Sequence, residues 1–304
     1  MPASEPQILA LGGGGFSMER ENPMLDDYVL ALASRERPRV CFLPTASGDA
    51  DHYVVRFYRR FSATCAASHV SLFRRDQGTG GVEENIAQHL LAQDVIYVGG
   101  GNVVSMLGAW RAHGLDVVLQ RAWARGIVLC GPSAGSLCWF AEALSAFHGS
   151  GRRVRGLGLL PYSNCVHYDA EPQRREQYRR LVGEGMRPGF AAEDGVGLHF
   201  RGTRLQRAVS SRPGARAYRV ESGGDGTACE TPLEVHYLGE SGSVGDDLGV
   251  EDDLGVGDGQ SVRDGQSVGD GAGVGAERSL SAGGPVSAAA EHSGMRQTAT
   301  RAAA

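Results

Sequence analysis

Residues 127–136 read Ile127-Val128-Leu129-Cys130-Gly131-Pro132-Ser133-Ala134-Gly135-Ser136. A run of apolar side chains stops abruptly at small ones, with one serine between two glycines. Such a run is what a strand covered on both faces requires, because neither side meets water. The small residues beyond it predict a sharp strand-to-helix turn, where larger side chains would clash. A turn of that kind lifts its central side chain above the sheet edge and leaves backbone N–H groups beside it. A helix starting near Ala134 would add partial positive charge where an oxyanion forms. Ser133 is therefore either a candidate nucleophile or a plain helix N-cap, and the spacing alone leaves both open.

Working outward, strand-like and helix-like segments alternate. Gln7 to Leu11, Arg39 to Leu43, His69 to Phe73, Val95 to Val98 and Gly126 to Cys130 read as strands. Pro23 to Ser34, His52 to Ala67, Val82 to Ala92, Val103 to His113 and Leu115 to Arg125 read as helices, and the chain from Ser133 onward reads helical. Alternation with continuous apolar strands predicts an α/β fold, a doubly wound and mostly parallel sheet flanked by helices. Ligands of such sheets sit beyond the carboxyl ends of the strands. Glycine-rich turns fall there at 12–15, 99–101 and 131–135. Between 150 and 240, Leu157 to Leu160 is a candidate strand, Ala192 to Phe200 and Thr203 to Ser210 suggest a hairpin, and Ala217 to Glu221 and Leu233 to Leu238 suggest two further strands.

The chain of 304 residues divides by composition. From 241 to 304 it is Gly, Ser, Ala, Asp and Val with no aromatic residue, and it contains short imperfect repeats. Such a segment buries too little apolar surface to offset its ordering entropy, so a disordered tail is expected. Residues 1–240 fit one catalytic-sized domain. The tail carries ten acidic residues against four arginines, leaving the body near neutral, so the net charge of −5 comes mostly from the tail. There is no lysine and no basic block, so nucleic acid is not an expected partner. No apolar run spans a membrane, and no secretory signal opens the chain. The six cysteines show no CxxC spacing, which fits reduced, buried thiols in a cytoplasmic protein. A homodimer stays open.

A serine hydroxyl needs a base. His167, after the apolar run 157–160 and before a helix opening near Pro172, lies in a loop at an element end; His113, His148 and His199 are its rivals. A third group should orient the imidazole: Asp194, Glu193, Glu142 and Asp169 are candidates, with Asp194 favoured by its tight turn at a strand start. The second amide of an oxyanion hole, beside Ala134, is expected from Gly100 or Gly101, where a missing side chain lets the backbone approach. Gly12 to Gly15 lacks the spacing of a dinucleotide site, and no cluster has metal-ligand spacing. Neither a cofactor nor a metal is expected.

Together, CGPSAGSLCWF, IYVGGGNVVSMLGAWRAHGLD and LLPYSNCVHYDAEPQRREQY resemble the peptidase E family of serine peptidases, related to cyanophycinase and sharing the class I glutamine amidotransferase-like fold. The resemblance covers roughly residues 7–240. It implies that Ser133 attacks a peptide carbonyl, that His167 is the base that later protonates the leaving amine, and that the Gly99–Asn102 turn and Ala134 supply the oxyanion donors. Related amidotransferases carry cysteine at the elbow, so serine here argues against amide transfer. Phe147-His148-Gly149 departs from the peptidase E pattern for the acid; cyanophycinase-like members place it after the histidine, where Asp194 falls, with Glu142 the second choice. The resemblance implies a short-peptide substrate and makes an aspartyl dipeptidase one option. A non-catalytic module that binds a ligand or partner is the alternative.

Overall fold

The computed structural model describes residues 5–73, 82–147, 149, 151–171 and 173–239. All belong to the first of the chain's two units, Met1–Asp247; the second, Leu248–Ala304, lies outside them, as do the expected tail, His148 and Pro172.

The first half alternates as its apolar pattern requires. β1 (Gln7–Leu11), α1 (Met24–Leu32), β2 (Arg39–Leu43), α2 (Asp51–Phe61), β3 (Ala66–His69), α3 (Val82–Leu91), β4 (Val95–Val98), α4 (Val103–Ala112), α5 (Leu115–Ala124), β5 (Val128–Pro132) and α6 (Ala134–Leu137) follow in order. Then come β6 (Phe140–Ser145), β7 (Arg152–Arg155), β8 (Leu160–Cys165), α7 (Arg174–Gly183), β9 (Gly189–Ala192), β10 (Val196–Arg201), β11 (Arg204–Ser210), β12 (Ala217–Ser222), β13 (Ala228–Pro232) and β14 (Val235–Tyr237).

Eight strands form the main sheet in the order β14-β11-β10-β1-β5-β4-β2-β3. The run β1-β5-β4-β2-β3 is parallel, and β10 and β11 extend it antiparallel. This is the mostly parallel, helix-flanked sheet of the amidotransferase-like class. Strand residues point alternately to opposite faces, and β1 shows it: Ile8 and Ala10 enter one core, Leu9 and Leu11 the other. The second core is rich in rings, with Phe16 edge-on to Phe42 at 5.4 Å and Phe42 stacked on Phe57 at 4.9 Å. No helix of the described residues is long and apolar enough to cross a membrane.

A second sheet, β13-β12-β9-β8-β6-β7, is absent from the expected pattern. The helix expected from Ser133 onward stops at Leu137, and β6 begins at Phe140. Trp139 and Phe140 are fully buried in the first core, where Phe140 meets Phe200 edge-on at 5.7 Å. β8 lies later than Leu157–Leu160 because its polar residues are buried and bonded. Asn164 Nδ2 donates to Ser136 Oγ at 2.9 Å, and Ser163 Oγ lies 2.6 Å from Tyr178 Oη. Near the other edge, α2 ends at Phe61 where a helix to Ala67 was expected, and β3 is Ala66–His69 where His69–Phe73 was expected. An edge strand needs no apolar run; Val70 and Leu72 sit beyond it in the core. The hairpin exists as β10 and β11, but Ala192 belongs to β9 of the other sheet.

Candidate active site

Three consecutive carbonyls at the end of β1 organise the site. Leu11 accepts the N–H of Ser133 at 3.3 Å, Gly12 that of His167 at 3.2 Å, and Gly13 that of Gly195 at 3.2 Å. Elements far apart in the chain are thereby anchored to one interior strand.

Ser133 has φ 56° and ψ −118°, a conformation that L-residues rarely adopt. The glycines on both sides have a single cause. A Cβ on Gly131 or on Gly135 would strike the Val98 carbonyl of β4, so the turn can seat on that strand only without side chains there. Ser133 occupies the N-cap position of α6, yet its hydroxyl makes no capping bond. The plain N-cap reading therefore fails. α6 has only four residues, so the Ala134 N–H itself matters more than any helix dipole.

His167 also has positive φ, 54°. Its Nδ1 lies 2.6 Å from Asp194 Oδ1, and both side chains are largely withdrawn from solvent. A carboxylate on Nδ1 holds the proton there and leaves Nε2 as acceptor. Gly13 lies directly against this pair: a Cβ on it would collide with Asp194 Oδ1 and come within 3.1 Å of His167 Cε1. The Gly12–Gly13 turn is thus a close-approach device.

The other candidates are placed elsewhere. Asp169 Oδ1 accepts the Asp194 N–H at 2.9 Å, bracing the turn that carries the acid. Glu193 Oε2 accepts from Arg216 N at 2.8 Å. Glu142, on β6, is bonded to Arg153 and to the Arg187 N–H, and these hydrogen bonds hold its carboxyl below the ordinary range against the opposing effect of burial. His199 is buried between Tyr28 Oη and Gln7 Oε1, each at 3.0 Å, and burial pulls its pKa down to about 4. His113 is the C-cap of α4.

Ser133 and His167 together line two cavities. One, of about 330 Å³, also has Ser17, Tyr53, Arg56 and Gly100 in its wall. The other, of about 250 Å³, has Gly101, Leu137, Phe147, Val166, Glu171 and Arg174. Gly100 packs against Ser133, and its N–H donates to Tyr53 Oη at 3.1 Å. Gly101 has φ 139° and no room for a Cβ beside the Ala46 carbonyl. Arg56 and the bracing role of Asp169 had no signal in the sequence; the aromatic-rich helix expected at 52–67 hinted at Tyr53.

The model of peptidase family S51 matches residues 8–208. The uncharacterized peptidase YgaJ of Bacillus subtilis (strain 168) is 46% identical over 235 residues, covering 77% of this chain and 99% of that protein. A crystal structure of a peptidase from an acI-B1 Actinobacterium superposes with a TM-score of 0.58 at 14% identity, covering 76% of this chain and 95% of that one. A putative peptidase E from Listeria monocytogenes EGD-e gives 0.48 at 16% identity, covering 76% and 100%.

Proposed function

This chain belongs to peptidase family S51 and is a serine-type peptidase, and on that premise we propose that it hydrolyses short peptides with Ser133, His167 and Asp194 as its working groups. Ser133 Oγ attacks the peptide carbonyl carbon as His167 Nε2 takes the hydroxyl proton. The carbonyl oxygen becomes the anion. When the C–N bond breaks, His167 returns that proton to the leaving amine, and the acyl group stays on Ser133. Water then attacks the ester by the same proton route in reverse, releasing the acid. Asp194 keeps its negative charge throughout and stabilises the imidazolium.

The observation that carries this reading is the 2.6 Å contact between His167 and Asp194 behind a wall that His167 shares with Ser133. For the oxyanion we assign the Ala134 N–H and one from the Gly100–Gly101 turn. Tyr53 engages the Gly100 amide, so an anion bound at Gly100 must take that amide from the phenol, whereas Gly101 faces the second cavity. The narrower reading, an aspartyl dipeptidase, follows from the resemblance to peptidase E.

A panel of dipeptides and tripeptides, half with N-terminal aspartate, tests the proposal on the wild type beside Ser133→Ala and His167→Ala. Each variant is expected to lose at least about 1,000-fold in turnover with circular dichroism unchanged. Undiminished turnover in Ser133→Ala overturns the serine mechanism. No turnover of any peptide by the wild type favours a binding module. Preference for aspartate over asparagine at the N-terminus decides the narrower reading.

A further inference from the structure

The larger cavity beside Ser133 carries a cation whose charge the fold leaves unused. Arg56, on α2, is half-buried in its wall. Its Nη1 donates to the main-chain oxygen of Ser17 at 3.3 Å, a neutral acceptor. Among the described residues no carboxylate pairs with it, although Arg60, one helical turn on, is held by Asp26 and Asp27. His52 lies one turn before Arg56 on the same face of α2 and lines the same cavity, and none of the described lining residues is acidic. Arg56 also lines an adjoining groove with Met18, Asn22, Glu19 and Glu21; Glu19 is paired with Arg212, and neither carboxylate forms an ion pair with Arg56. The guanidinium therefore stands where the cavity adjoins the groove, lining both, whereas Ser133 and His167 do not line the groove.

A guanidinium without an ionic partner, facing a cleft through a planar fork of donors, is suited to a carboxylate, which it binds in two parallel hydrogen bonds. Its place where cavity and groove meet selects among carboxylates. A cation that reads a side chain would close the blind end of a pocket. One at the mouth meets the end of the peptide main chain as it leaves the site. We propose that Arg56, assisted by His52, binds the free C-terminal carboxylate of a short peptide whose scissile bond lies at Ser133. The inference rests on the peptidase reading above and adds to it the feature that limits peptide length. A chain ending within the cavity gains the ion pair, and one that continues beyond it does not.

The test takes the best-cleaved peptide of the panel in three forms: the free acid, its C-terminal amide, and the free acid lengthened by two glycines. The wild type is expected to favour the free acid over the amide by at least about tenfold in kcat/KM, mostly through KM. Arg56→Gln is expected to bring that ratio close to one, by lowering kcat/KM for the free acid far more than for the amide. Arg56→Lys, which keeps the charge but not the fork, should recover part of the preference. Calorimetric binding of the same free acid to Ser133→Ala, with and without Arg56→Gln, reads the contact without turnover. Equal loss of acid and amide in Arg56→Gln at an unchanged melting temperature overturns the proposal. So does a loss confined to peptides with acidic side chains, or a wild type indifferent to amidation. In each of those cases hydrolysis that still depends on Ser133 leaves the peptidase reading standing, while hydrolysis unaffected by Ser133→Ala removes both.

Discussion

The carbonyl of Gly12 accepts the main-chain N–H of His167 at 3.2 Å. A loop residue with φ 54° is thereby fixed to the end of the central strand, and its ring is brought beside Asp194. The neighbouring residue, Gly13, is the point at which this arrangement is most easily damaged.

Replacing Gly13 by alanine puts a methyl group where Asp194 Oδ1 now lies and within 3.1 Å of His167 Cε1. The pair has to shift by a substantial fraction of a bond length. Displacements of that order cost about 100-fold in rate. Gly13→Ala is expected to lose about that much kcat/KM while keeping its far-ultraviolet circular dichroism. Activity within a factor of three of wild type contradicts the placement of the pair.

Asp194→Asn keeps the shape and removes the charge. An amide beside Nδ1 can present its N–H₂ there, which pushes the ring proton to Nε2, the wrong nitrogen for a base. A fall in kcat of about 1,000- to 10,000-fold is expected, with little change in melting temperature. Glu142→Gln provides the contrast. Its partners are Arg153 and the Arg187 N–H, so it should alter stability and leave kcat within about twofold. A reversed ranking of the two variants would falsify the choice of acid.

Asp169 acts through its bond to the Asp194 N–H at 2.9 Å. Asparagine retains an oxygen that can accept that bond; alanine does not. Asp169→Ala should therefore lower kcat about tenfold at nearly constant KM, and Asp169→Asn should restore most of it. If the asparagine variant is as impaired as the alanine one, the charge of Asp169 is the active property and not its hydrogen bond.

Asp26 on α1 is fully buried, with Arg60 Nε at 3.2 Å and Tyr97 Oη at 3.3 Å. Burial, only partly offset by Arg60, raises its pKa to about 6 from an ordinary 3.8. The folded chain thus holds a proton between those values that the unfolded chain has lost. Its contribution is full below pH 3.8 and fades as pH rises through 6. The stability of wild type relative to Asp26→Asn should fall by about 2 kcal/mol between pH 4 and pH 7, read from urea midpoints. A difference that stays flat, or grows with pH, contradicts this.

Local steric demands were legible in the residues themselves. Gly131 and Gly135 flank Ser133 because of the Val98 carbonyl, and a requirement for small neighbours shows as small residues. The strands β1, β2, β4 and β5 were legible for a similar reason: burial on both faces leaves an uninterrupted apolar run. β8 was not, because Ser163 and Asn164 are buried polar residues, bonded through Ser163 Oγ and Asn164 Nδ2 to partners distant in sequence, and hydropathy cannot register such burial. The short α6 was hidden as well. Its end depends on Trp139 and Phe140 packing between two sheets, one of which had left no clear trace. Among the four candidate acids, Asp169 is only two residues from His167, yet its carboxylate turns to the Asp194 amide. Closeness along the chain said nothing of direction. Arg56 was one of thirty arginines, and what sets it apart, a place in the wall beside Ser133 with no ion pair among the described residues, is a property of the fold.

The comb of carbonyls at 11, 12 and 13 has a mechanical consequence. Local opening is dearest at the interior elements of a fold. Ser133, His167 and the Asp194 turn are all suspended from one such strand, while Tyr53 and Arg56 ride on α2. On the proposed reading, the grip on an incoming chain and the scissors that cut it are mounted on separate supports, so substitutions on α2 can reshape the first while the second stays in register.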